Sequence, residues 1–137
     1  MLICGLMFST KMPMLWYMIW NRAAEEISGY TKEEVIGHGK IWEWLYPDEE
    51  YRIKIKKKIE SVIKKGEVVK NFETTISRKD GEKRIISWHL RNLVDEKRKV
   101  IGSIALGRDL TEQKRMEEAL RESEEKSELL LNILGQQ

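Results

Sequence analysis

One cysteine, two prolines and two histidines in 137 residues set the first limits. Cys4 alone cannot form an intrachain disulfide. His38 and His89 stand far apart with no cysteine near either, so no metal site is expected. The nine glycines are scattered, which leaves no glycine-rich loop to cradle a phosphate. No histidine lies near a serine, cysteine or acid in a pattern that suggests a nucleophile and its base, so the chain is not expected to be an enzyme. A membrane-spanning helix needs about 20 uninterrupted apolar residues. The apolar stretch 1–20 is broken at Ser9-Thr10-Lys11-Met12-Pro13. It also lacks the early basic residues and small-residue cleavage site of a signal peptide. No membrane contact is expected, and a reducing, cytoplasmic setting fits the single cysteine. Neither sign of charge dominates: 25 Lys and Arg face 23 Asp and Glu, a net +2. That balance gives no general pull toward nucleic acid.

What the chain does have is a regular succession of element signals. Two apolar strands are expected at 3–8 and 14–20. A short helix over 21–29 follows, with Asn21 at its start and Gly29 at its end. Thr31 and Glu34 form a capping box for a second helix that stops at Gly37. A third short helix spans 41–45 and is stopped by Pro47. Asp48 begins the longest internal helix, 49–65, with Ile55, Ile59, Val62 and Ile63 on one face. The same helix carries Arg52, Lys54, Lys56, Lys57, Lys58, Lys64 and Lys65. With no aromatic interleaved, these are read as the solvated face of an amphipathic helix rather than a nucleic-acid footprint. Three strands then alternate at 67–77, 83–93 and 100–108, the first two joined by an Asp80-Gly81 hairpin turn. Five strands with helices between the second and third make an α+β fold with an antiparallel sheet.

Four short stretches carry a family resemblance. Trp20-Asn21-Arg22-Ala23-Ala24-Glu25-Glu26 with Ser28-Gly29-Tyr30-Thr31-Lys32-Glu33-Glu34-Val35-Ile36-Gly37 is the first. Tyr46-Pro47-Asp48 and Arg78-Lys79-Asp80-Gly81 follow, and Gly107-Arg108-Asp109-Leu110-Thr111-Glu112-Gln113-Lys114 is the last. In this order, over about residues 18–116, they resemble the PAS domain family. The turn between the first two strands departs from the family pattern, and exchange of the first strand between subunits is left open. The resemblance implies a five-stranded sheet in the order 2-1-5-4-3, short helices on one face, and a sensory body at 1–110 followed by a signalling helix at 111–137.

It also implies a ligand site between sheet and helices that holds flavin, haem, a small acid or nothing. Trp20, Asn21, Trp42, Trp44, Phe72 and Trp88 are the candidate pocket residues. Large aromatics equally fill small cores, and Asn21 equally caps a helix. The reactive cysteine of the blue-light subclass has no counterpart at the aligned helix, which excludes a flavin–cysteinyl photocycle. Haem is disfavoured because the long helix holds no histidine. Non-covalent flavin or a small metabolite stays open.

From the last strand the chain passes through Arg108, Asp109 and Thr111 into a charged helix. Asp109 with Glu112 has the form of a capping box, and Thr111 is the alternative cap. These three residues are the candidate signal-transmission joint. Beyond it, Met116, Leu120, Ser123, Ser127, Leu130 and Leu134 repeat at four, three, four, three, four, the spacing of a coiled-coil seam. A homodimer through this seam is expected, against a helix folded back on its own sheet. The tail 126–135 resembles the lead-in to a second PAS domain or to the dimerisation helix of a sensor histidine kinase. The expected partner is therefore a downstream kinase or other signalling domain. The rival reading is a ligand-free interaction module, and a third is a flavin- or haem-based redox or gas sensor.

Overall fold

The computed structural model describes residues 2–8, 16–37, 39–66 and 68–135. The expected turn at 9–13 and the expected loop residue His38 lie outside the described residues. Ten elements follow one another: β1 (Leu2–Phe8), β2 (Trp16–Trp20), α1 (Arg22–Ser28), α2 (Lys32–Val35), α3 (Ile41–Leu45), α4 (Glu49–Lys65), β3 (Val69–Ser77), β4 (Lys83–Val94), β5 (Val100–Asp109) and α5 (Thr111–Gly135). The strands form one antiparallel sheet in the order β2-β1-β5-β4-β3. This is the order the family resemblance implies. β1 is an inner strand, paired to both β2 and β5 of its own chain, so it is not the exposed edge that would favour exchange between subunits.

Local chemistry explains the helix borders. Asn21 Oδ1 accepts from the Ala24 N–H at 2.9 Å, Thr31 Oγ1 from Glu34 N–H at 3.3 Å, and Asp48 Oδ1 from Glu50 N–H at 3.0 Å. Each satisfies a donor that the first helical turn leaves without an intrahelical partner. Gly29 and Gly66 close α1 and α4 at φ 81° and 67°, in the left-handed region that glycine enters without steric cost. α2 is shorter than expected. It stops at Val35, and the Ile36 N–H turns back to the Lys32 carbonyl.

The end of α1 is finished by a side chain from far along the chain. Arg78 Nη1 donates to the carbonyls of Glu26 at 2.7 Å and Ile27 at 2.5 Å, and the Lys79 N–H donates to the Ser28 carbonyl at 2.9 Å. A guanidinium at a helix C-terminus binds the last free carbonyls and meets the negative end of the dipole. Arg78-Lys79-Asp80-Gly81 is thus both a hairpin turn and a clamp that ties it to α1.

The helices cover one face of the sheet. Along β4, Ile86, Trp88 and Leu90 are buried against them, while His89 and Arg91 are exposed on the other side. Ile55, Ile59 and Val62 from α4 join Ala24, Ile27, Val35, Ile41, Trp42 and Leu45 in the same core. The lysines Lys54, Lys57, Lys58, Lys64 and Lys65 are exposed. No helix among the described residues is long and apolar enough to cross a membrane.

Candidate functional site: an aromatic interior and a strand-to-helix joint

Two places concentrate unusual contacts. The first is the interior between α3, α4 and the sheet. Trp42 (α3), Tyr46, Ile55, Ile59, Phe72, Thr74, Trp88, Leu90 and Ala105 surround a residual cavity of about 10 Å3. That is room for a single water molecule at most. The space is taken up by rings. Trp42 and Tyr46 stack with centroids 6.0 Å apart, and Lys56 Nζ sits 5.8 Å above the Trp42 ring. Thr74 ties the interior together. Its Oγ1 accepts from Trp88 Nε1 at 2.7 Å and shares a 2.8 Å hydrogen bond with the Tyr46 hydroxyl. Every one of these polar groups is buried and has a partner, as a low-dielectric interior demands.

Trp88 lies on glycine. It pairs across the sheet with Gly107, where an added Cβ would come within 2.8 Å of Trp88 Cζ3 and 2.9 Å of Ile86 Cγ2. Only a residue without a side chain lets the indole rest on the β5 backbone.

Tyr46 is fully buried, and burial pushes its phenol far above the ordinary tyrosine range, against the smaller opposing effect of the Thr74 hydrogen bond. An acid whose pKa is higher folded than unfolded keeps its stabilisation below the unfolded value, near pH 10. It loses that stabilisation as pH rises above this value, because only the unfolded chain ionises there. Denaturation midpoints measured from pH 9 to 11.5 should therefore fall more steeply for the natural chain than for Tyr46→Phe. Equal slopes would show that the phenol is not held neutral in the fold.

Of the six expected pocket residues, Trp42, Phe72 and Trp88 line the cavity. The others have different positions. Trp20 is buried and donates from Nε1 to the Tyr30 carbonyl at 3.0 Å. Trp44 is half-buried and stacks on Tyr30 at 5.0 Å. Asn21 serves as the N-cap of α1. Tyr46 and Thr74 were not anticipated. They lie 28 residues apart, and no periodicity in the sequence announces their contact.

The second place is the joint between β5 and α5. The Leu110 N–H donates to the Ile85 carbonyl at 2.8 Å, and the Ile85 N–H donates to Thr111 Oγ1 at 2.7 Å. The threonine hydroxyl thus takes the place of a strand carbonyl just where the strand ends. Asp109 Oδ1 accepts from both the Thr111 N–H at 2.9 Å and the Thr111 hydroxyl at 2.6 Å. Its other oxygen, Oδ2, meets Arg84 Nη1 at 3.3 Å. Asp109 therefore caps α5 through Thr111, two residues on, rather than through Glu112 three residues on. Its cationic partner is Arg84 from β4. Arg108 is exposed and opposite Ser87.

From this joint α5 leaves the body. Thr111 is buried, and Lys114 and Arg115 reach back to Glu73 at 3.4 Å and Glu82 at 3.8 Å. Residues 115–135 are exposed. The seam residues Met116, Leu120, Ser123, Ser127, Leu130 and Leu134 lie in this exposed part, and Leu129, Leu131 and Ile133 are exposed beside them. The helix does not fold back on its own sheet.

Comparison with solved structures agrees with this geometry. The PAS domain of a protein from Colwellia psychrerythraea is similar at 20% identity and a TM-score of 0.67, over 81% of this chain and 87% of that one. A light-oxygen-voltage domain studied with a flavin analogue is similar at 18% identity and 0.68, over 90% and 87%. A blue-light activated histidine kinase of Erythrobacter litoralis is similar at 18% and 0.66, over 80% of this chain but only 33% of that one. No curated protein sequence matches the chain. At these identities the structures speak for the fold alone. The family model described as "PAS domain" matches residues 6–112, which takes in the end of β1, all of β2 to β5, the aromatic interior and the Asp109–Thr111 joint, and so this chain belongs to the PAS domain family.

Proposed function

We propose that this PAS domain is the sensory part of a two-component signalling protein. A ligand or a partner shifts the sheet, and the shift leaves through Arg108, Asp109 and Thr111 into α5, with Arg84 of β4 as the partner of Asp109. In this reading, residues 1–110 are the sensory body and 111–137 the signalling helix. The helix pairs in parallel with that of a second copy along Met116, Leu120, Ser123, Ser127, Leu130 and Leu134. The output partner is a histidine kinase or a similar signalling domain, and the setting is cytoplasmic.

The observation that carries the proposal is the load on Asp109. One carboxylate holds the first turn of α5 and a β4 arginine together, so β4, β5 and the helix cannot move independently at that point. The exposed apolar seam adds to it, because a helix with no core of its own gains most by pairing. Two serines in the seam make the pair weak, which suits an element that changes register for little free energy. The similarity to one third of a histidine kinase fits a sensory domain within a longer signalling chain.

Asp109→Ala in a fusion with a kinase output is expected to abolish the response to stimulus while native mass spectrometry still finds a dimer. A normal response would remove the joint from the mechanism, and a monomer in the unaltered chain would remove the helix pair. The second reading is a ligand-free interaction module. The filled interior favours it, and in that case dimer geometry itself is the signal.

A further inference from the structure

We infer that, among the described residues, the interior of this PAS domain is closed by its own side chains: Trp42, Tyr46 and Trp88, gathered on Thr74, stand where a ring-shaped cofactor would lie between helices and sheet. A closed interior is compatible with either outcome of the fusion assay, so it stands apart from the signalling proposal.

Three observations carry it. The first is volume. Sites for small molecules and cofactors usually enclose about 300–1,000 Å3, and the space here is about 10 Å3. A flavin does not fit these residues as they stand.

The second is polarity. Among the described residues, the lining holds no charged side chain. Its polar atoms converge on one another: the indole N–H of Trp88 and the hydroxyl of Tyr46 both meet Thr74 Oγ1. A flavin ring presents several donors and acceptors along one edge, and its phosphate calls for a cation. The buried groups here already have partners, and breaking those bonds would leave donors unpaired at a cost.

The third is fit. Trp88 is not a ring that has slumped into a void. It rests on Gly107, where not even a methyl group could stand without a close contact. From Lys56 over Trp42, through Tyr46 and Thr74, to Trp88 on Gly107, the contacts form one continuous column from α4 to β5. A column built to such tolerance takes the structural place of a bound ring.

The test uses the full chain and two probes, flavin mononucleotide and indole. The natural protein is expected to purify colourless and to show no change in Tm or tryptophan emission with either. Trp88→Ala removes one of the two tryptophans of the column and should leave an apolar void that takes indole, as apolar cavities of about 150 Å3 take benzene. At ten times the Kd, indole should then raise its Tm by about 3–6 °C. A natural chain that purifies with a flavin, or that is stabilised by one at one-to-one stoichiometry, overturns the inference. So does a folded Trp88→Ala that ignores indole. Trp42→Ala opens the column from the α3 side and stands in if Trp88→Ala does not fold. If neither variant folds, the response of the natural chain to the two probes decides alone.

Discussion

Thr74→Val is expected to lower the stability of the fold by about 3 kcal/mol, read as the shift in a urea denaturation curve. Valine has nearly the shape of threonine and suits a strand equally well, so packing contributes little. What is lost is the one oxygen on which Trp88 Nε1 and the Tyr46 hydroxyl converge. Removing a shared partner strands two buried groups, at roughly 1–3 kcal/mol each. Tyr46→Phe alone should cost less, because Thr74 keeps its bond to Trp88. In the combined variant the loss should fall short of the sum. With the Tyr46 hydroxyl already removed, Thr74→Val strands only the indole N–H. A Thr74→Val chain within about 0.5 kcal/mol of the natural one, the range of ordinary surface changes, would mean that the three groups are not mutually dependent.

Gly107→Val is expected to do more damage, at least about 3 kcal/mol, or to prevent folding. Overpacking a well-filled core by a methylene or two costs about 1–3 kcal/mol, and here the new atoms have no direction of escape. The nearest obstacles are the Trp88 ring at 2.8 Å and Ile86 Cγ2 at 2.9 Å. Ile86 is wholly buried and Trp88 nearly so, so neither can swing into solvent. A chain carrying both Gly107→Val and Trp88→Leu should recover part of the loss, because the smaller side chain vacates the space above β5. If Gly107→Val melts with the natural protein, the indole is not seated as described.

The elements were legible because their signals are local. Asn21, Thr31 and Asp48 announce helix starts and Gly29 and Gly66 helix ends within a few residues, and Asp80-Gly81 announces a turn. The antiparallel order 2-1-5-4-3 came from family resemblance, since nothing in strand periodicity specifies which strands are neighbours. Three of the four aromatic rings around the cavity, Trp42, Phe72 and Trp88, are legible from residue type alone. Residue type alone also points to Trp44, which stacks on Tyr30 instead. The contacts of Thr74, Tyr46, Arg78 and Arg84 are not legible in the sequence, for one reason. The partners described above lie 14 to 52 residues away, and a polar residue on a strand looks the same in sequence whether it faces water or a buried ring. Asp109 was legible in place but not in its partner, which β4 supplies.

Among the described residues of its own chain, α5 is held at its first turns only. Its 25 residues make a rod of about 37 Å at 1.5 Å per residue, with its fulcrum at Thr111. Tilting such a rod by about 5° at the root carries its far end through roughly 3 Å, by simple leverage on that length. A displacement too small to disturb any hydrogen bond in the sheet thus becomes, at Leu134, a movement on the scale of an atom's diameter. The arm multiplies distance at the expense of force, so whatever is attached at its tip must respond to position and resist only weakly.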